Sequence, residues 1–322
     1  MKSPDQRAAH QAGEVQQSGQ ASTPVAPQGS SLPLLTIDTG ASAPADRSRL
    51  RALARLLGDE SRIVRDELRR HFHDAGKIGR PALRRAARSS DPRVRGHART
   101  LLLELDRAAV RRRLLSFAAR SSLDLEAGLF VLGRLHDPGL DARPYRRALD
   151  AFADEVLRRS VSCGTELERA EVLADYLGKT VGFSGSVEDY HHPDHVHLHR
   201  VIETRTGLPL TLCAIYVFVA RRIGLRASVL PLPGHVMLRL HGLRSSRIID
   251  PFHAGRTRSQ AALTSYLAKH DLGFDPRWFR AAGEKSLFLR QVNNLIQTYS
   301  ERGFPAQVET LLDVLEVGAH EG

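Results

Sequence analysis

The stretch V-I-E-T-R-T-G-L-P-L-T-L-C-A-I-Y-V-F-V-A-R-R-I-G-L, Val201 to Leu225, decides the fold. Gly207 to Pro209 reads as a turn that sets Pro at a first helical position, and the apolar run after it ends at Gly224, a helix stop. Apolar residues occupy nearly every side of this helix rather than one stripe, so the pattern predicts a helix buried almost all round. Three short β-rich runs follow: A-S-V-L-P-L (227–232), H-V-M-L-R-L (235–240) and S-R-I-I-D-P-F (246–252). Pro-Gly and His-Gly-Leu-Arg-Ser turns separate them, which predicts an antiparallel meander. A buried helix packed on an antiparallel sheet makes the fold class α+β.

Working outward, Glu166 to Leu177 has the apolar spacing of an amphipathic helix, and K-T-V-G-F-S-G-S-V-E-D-Y (179–190) reads as a glycine-punctuated loop. Residues 109–160 read as helices broken by a turn at His136 to Pro144, and Cys163-Gly164 marks a further break. From Arg47 to Leu105 a weak repeat of about 30 residues appears. Leu53 matches Leu83, and S-R-I-V-R (61–65) matches D-P-R-V-R (91–95). The D-P-x-V-R element resembles the start of the second helix of HEAT-type repeats, with Asp as cap and Pro as first helical residue. Residues 1–46, rich in Gln, Ser, Pro, Ala and Gly, read as a disordered tail with one apolar spot at Leu32 to Ile37. The expected organisation is a tail (1–46), a helical arm (47–108), a central domain (109–272) with a helical part (109–180) and a helix-plus-sheet core (181–272), and a C-terminal helical hairpin (273–322).

Composition narrows the function classes. At 322 residues and 42% apolar content the chain can bury sizeable cores, which excludes a wholly disordered protein. Two cysteines exclude a disulfide framework. No run approaches the roughly 18 to 20 apolar residues of a membrane span, and the polar start M-K-S-P-D-Q-R lacks the apolar stretch of a secretory signal. The expectation is a cytoplasmic protein with no membrane partner. The net charge of +11 is concentrated: residues 47–120 hold 21 Lys plus Arg against 8 Asp plus Glu. Of the 47 basic residues 42 are Arg, a skew that GC-rich coding can produce without any phosphate to bind. A solvated helix face is therefore the favoured reading of 47–120, and nucleic-acid association the lesser one.

Chemistry enters through chain order. A helix bearing Cys213, then a strand opening on His235, then one ending in Asp250 is the order of a Cys, His, Asp nucleophilic triad. The thiol needs a proton acceptor, and the acceptor imidazole needs a carboxylate to fix its tautomer. Spacing alone makes this weak, because such a trio within 40 residues is common. A second constellation is H-H-P-D-H-V-H-L-H (191–199). As a strand it would set His195, His197 and His199 on one face, a candidate zinc, nickel or copper site with Asp194 as an oxygen ligand. An exposed polar loop is the favoured reading, and no cofactor is expected.

Between Ser122 and Arg256 the chain resembles the bacterial transglutaminase-like family of the SirB type, a branch of the papain-like superfamily. The likeness rests on D-L-E-A-G-L-F (124–130), H-D-P-G-L-D (136–141), V-G-F-S-G-S-V-E-D-Y (181–190), V-I-E-T-R-T-G-L-P-L-T-L (201–212), L-P-G-H (232–235) and I-D-P-F-H-A-G-R (249–256). The segment 293–312 is similar to the tetratricopeptide-like helical hairpin that follows the core in that family. The resemblance implies a transglutaminase-like core in which His235 and Asp250 match the last two triad roles. In active relatives of the wider superfamily a Cys opens the core helix. Here Thr211 stands nearest the helix mouth, and Cys213 lies just past the reach of the helix dipole that would activate a thiol. A Thr hydroxyl needs a strong adjacent base, commonly an N-terminal amine, which Thr211 lacks. The expected function is thus a protein-binding or regulatory module with a degenerate triad, a pseudoenzyme. The alternative is an acyl transferase or amide hydrolase using Cys213 as nucleophile, His235 as base and Asp250 as orienter.

Overall fold

The computed structural model describes residues 43–232, 234–269 and 275–319. The expected tail with its apolar spot lies outside the described residues as far as residue 42, and the last four residues assigned to it open a helix instead. The helices are α1 (Ala43–Arg55), α2 (Arg62–Ala75), α3 (Arg80–Ala86), α4 (Pro92–Ala118), α5 (Leu125–Gly133), α6 (Arg143–Arg159), α7 (Glu166–Asp175), α8 (Pro193–Val196), α9 (Leu198–Thr204) and α10 (Pro209–Arg222). Four strands follow, β1 (Ala227–Leu232), β2 (His235–His241), β3 (Ser246–Asp250) and β4 (Arg256–Arg258), and then α11 (Gln260–Lys269), α12 (Glu284–Glu301) and α13 (Pro305–Ala319).

The arm forms because its helix starts are written locally. Asp91 caps α4: its Oδ1 accepts from the Arg93 amide at 2.8 Å, and Pro92 follows as first helical residue. Ser61 caps α2 thirty residues earlier without a side-chain bond to the helix. Apolar faces of the arm close on Leu57, Leu68, Phe72, Leu83 and Ala98. α4 then continues, so that Val110, Leu114 and Phe117 belong to the core of the remaining chain. The boundary drawn at 108/109 therefore falls inside one continuous helix. Asp91→Ala is expected to lower stability by about 1 kcal/mol, the usual loss for an N-cap; urea denaturation of the full chain measures it.

In the centre, α10 packs against β1, β2, α6 and α12, and every residue from Pro209 to Ala220 is buried, as its apolar periphery predicts. The sheet has the order β1-β2-β3-β4 and is antiparallel throughout. Its first three strands match the three β-rich runs, while β4 was not expected. Pro231 is tolerated in β1 because that strand lies at the sheet edge, where a missing amide breaks no second ladder. The closing pair α12 and α13 sets Phe288, Leu295, Leu311 and Val314 into the same core as α10. No helix among the described residues is long and apolar enough to cross a membrane.

Candidate functional site

Strand register brings the distant residues together. Leu238 pairs with Ile249, so Asp250 falls beside Met237 and diagonal to His235 on one sheet face. The pairing of Ile248 with Arg258 brings the guanidinium to that same face. Asp250 is fully buried and its carboxylate is saturated. Oδ1 accepts from His235 Nε2 at 3.0 Å, and Oδ2 accepts from His253 Nδ1 at 2.8 Å and from Arg258 Nε and Nη2 at 3.1 and 2.9 Å. Burial alone would raise this carboxyl, but the His235 bond and charge, then His253 and Arg258, outweigh it and hold the group well below the ordinary carboxylate range. An ionised carboxylate only accepts hydrogen bonds. It therefore fixes one proton on His235 Nε2 and one on His253 Nδ1. Sequence reasoning reached His235 and Asp250 but missed His253 and Arg258, although the quoted I-D-P-F-H-A-G-R contains the first of them.

These side chains line a cavity of about 400 Å³, walled also by Tyr190, Pro209, Phe252 and Tyr266. The His235 ring stands edge-on to Phe252 with centroids 5.9 Å apart. Two glycines press the D-P-F-H-A turn into place. A Cβ on Gly185 would lie 2.0 Å from the Phe252 ring, and one on Gly178 would lie 2.0 Å from the Ala254 carbonyl oxygen. The Gly185 amide also donates to the Phe252 carbonyl at 2.8 Å. Glycine punctuation of the 178–185 segment thus has a tertiary purpose, the close seating of the turn that carries Asp250.

The mouth of α10 presents neither expected nucleophile to this cavity. At about 100° per residue, Cys213 lies one turn below Pro209 on nearly the same face, while Thr211 points to the opposite side. Pro209 is the residue that reaches the cavity wall. Behind it the Cys213 thiol is fully buried and donates to the Val236 carbonyl at 3.6 Å, a long contact to a weak donor. Burial, then the nearby Asp250 charge, pushes this thiol well above its usual range, the reverse of what a nucleophile requires. Thr211 is equally buried. Its hydroxyl donates to the Val196 carbonyl at 3.1 Å and accepts from Gln291 Nε2 at 3.0 Å. Among the described residues no hydrogen bond joins His235 to Cys213 or to Thr211.

Over 191–199 neither the favoured exposed loop nor the strand that a shared histidine face would require is formed. Pro193 opens α8 and Leu198 opens α9, so the histidines follow helical geometry and alternation is lost. His195 stacks on His192, whose Nδ1 accepts from the Asp194 amide. His197 is buried with Nε2 2.8 Å from the Tyr299 hydroxyl, and His199 is buried beside Tyr145. Asp194 is held by Arg200 through two bonds of 2.9 Å. His195, His197 and His199 therefore do not converge on one metal position, which corrects the reading of a shared strand face. Among the described residues, His235, Asp250 and His253 do offer ligand atoms within 4.8 Å of one another. Arg258 already occupies Asp250 there, and a cation would have to displace that guanidinium.

Comparison with known proteins agrees with this architecture. Residues 143–293 match the family model described as Transglutaminase-like superfamily. A UPF0162 protein of Xylella fastidiosa (strain 9a5c) is 25% identical over 185 residues, 56% of this chain. The F-box only protein 21 of Mus musculus is 24% identical over 143 residues, 42% of this chain, and its Homo sapiens counterpart is 23% identical over the same length. The matched region spans 66% of the length of the Xylella protein and 22% of the F-box proteins. No solved structure matches. The buried helix, the antiparallel sheet and the His235–Asp250 pair all fall within residues 143–293, the stretch that is similar to the transglutaminase-like superfamily.

Proposed function

We propose that this domain is a binding module built on a transglutaminase-like core without a working nucleophile, and that its cleft receives a protein segment bearing a carboxylate. One observation carries the reading: Pro209 stands where the helix mouth faces His235, while the thiol lies a turn deeper, bonded to a backbone carbonyl. What remains in the cavity suits recognition. Two imidazoles and a guanidinium surround a single carboxylate, so the local balance is neutral or positive according to the imidazole charges, and aromatic walls give apolar contact. The flanking helices, read as HEAT-like in the arm and tetratricopeptide-like in the closing hairpin, support a role in partner binding. Capture of partners from lysate should be weakened by His253→Ala and Arg258→Ala.

An acyl-transfer enzyme is the second reading, favoured by the formed His235–Asp250 pair. A cysteine-directed acyl electrophile separates the two. Native protein is expected to label at the half-buried Cys163 and not at Cys213. Turnover of a glutamine-bearing acceptor with a fluorescent amine should stay at background in wild type and in Cys213→Ala alike. Labelling of Cys213 faster than Cys163, abolished by His235→Ala, would overturn the binding-module reading and establish the enzyme.

A further inference from the structure

A second concavity lies away from the His235 cavity, in the arm. It has a volume of about 930 Å³ and runs between α1 and α3. Arg51 and Arg55 reach it from α1, Arg84 and Arg85 from α3, and Arg88 from the turn after α3. All five are exposed, and no acidic residue lines the groove. Elsewhere on the arm five of the eight carboxylates are engaged by other arginines: Glu104 with Arg69, Asp106 with Arg80, Glu60 with Arg93, Glu67 with Arg70 and Asp66 with Arg62. Among the described residues, none of the five groove arginines has an ion-pair partner. Arginines without an ion-pair partner stand elsewhere on the arm as well, Arg112 and Arg113 among them, but five of them line one trough that holds no carboxylate.

We propose that this groove binds the phosphate backbone of a nucleic-acid duplex. Five guanidinium groups lining one groove repel one another, and a polyanion relieves that repulsion. Guanidinium rather than ammonium suits the role, because its planar fork grips phosphate oxygens in pairs. The rest of the lining is three alanines, Pro81, Val94 and two serines, with no aromatic side chain, so the groove has no surface on which unpaired bases could stack. Double-stranded backbone is the ligand that remains. Recognition through phosphate alone carries no sequence information. An acidic protein segment fits less well, since the floor offers no deep apolar pocket for an anchoring side chain.

Fluorescence anisotropy of the full chain with labelled duplex DNA and duplex RNA of about two helical turns tests this. Wild type should bind with an affinity that falls steeply as salt rises, and the two duplexes show which backbone is preferred. Arg84→Gln/Arg88→Gln should weaken binding by about tenfold or more and reduce the salt slope by about 0.9 per arginine removed. Arg112→Gln/Arg113→Gln, which removes equal charge from exposed positions on α4 outside the groove, should change affinity by no more than about twofold. Circular dichroism confirms that both variants fold. Absence of binding, an equal loss in the two double variants, tighter binding of single strands, or displacement by polyglutamate as effective as by duplex would each overturn the proposal.

Discussion

Asp250→Asn is expected to lower the free energy of unfolding by about 3 to 5 kcal/mol, the range for removing one partner from a buried ionic cluster. The amide has the carboxylate's shape, so no cavity is created. What is lost is the negative charge that holds Arg258, and one of the two acceptor oxygens, so the amide can accept from His235 Nε2–H or from His253 Nδ1–H but not from both. Chemical denaturation at neutral pH measures the loss, and a variant as stable as wild type would show that the cluster is not held by this charge. The same substitution has a pH signature. Folding depresses the Asp250 carboxyl, so its contribution is complete above the unfolded value of about 3.9 and disappears as pH falls through that value toward the lower folded one. In Asp250→Asn the stability profile should flatten below about pH 4. The limb between about pH 6.5 and 4 should persist, because it arises elsewhere. His197 and His199 are both lowered from 6.5 by burial, His199 to about 4, so the unfolded imidazoles take up protons first and stability declines across that window.

Gly178→Ala is expected to destabilise by about 3 kcal/mol or more, at the upper end of overpacking losses. Its added methyl would stand 2.0 Å from the Ala254 carbonyl oxygen, and a backbone atom in the turn carrying Asp250 cannot rotate aside as a side chain can. A convenient opposite is Gly96→Ala in the second turn of α4, where an added Cβ meets nothing within 4 Å. There alanine removes backbone entropy from the unfolded chain and should stabilise by roughly 0.5 to 1 kcal/mol. Thermal unfolding of both variants beside wild type checks sign and size together. A Gly178→Ala protein that melts with wild type would mean that the 176–180 segment does not press on the 250–255 turn.

Much of the candidate site is legible from residue order. L-P-G-H predicts a strand opening on an imidazole, I-D-P-F a strand ending on a carboxylate, and alternation in the intervening runs places the two on one sheet. His253 and Arg258 escape such reading because their link to Asp250 is made by a short helical turn and by β4, a strand of three residues too brief to show alternation. The histidine run 191–199 misleads for a related reason. Its spacing satisfies a period of two, but Pro193 and the apolar contacts of Val196 and Leu198 fold it into two short helices.

By itself the sequence determined where α4 and α10 begin, that α10 is enclosed, that three strands follow it, and that His235 and Asp250 share the sheet. Capping residues, prolines, glycines and alternation act over a few residues, so their effect is written locally. Only the tertiary structure decided which side of α10 meets His235. A helix apolar on nearly all faces has no polar stripe to reveal its rotation, and Thr211 and Cys213, about 200° apart around its axis, remain equivalent until α8, α12 and β2 pack against it. Packing turned Pro209 toward the cavity, gave Thr211 to Gln291 and buried Cys213 under Val236, and it likewise gathered five arginines of the arm around one groove.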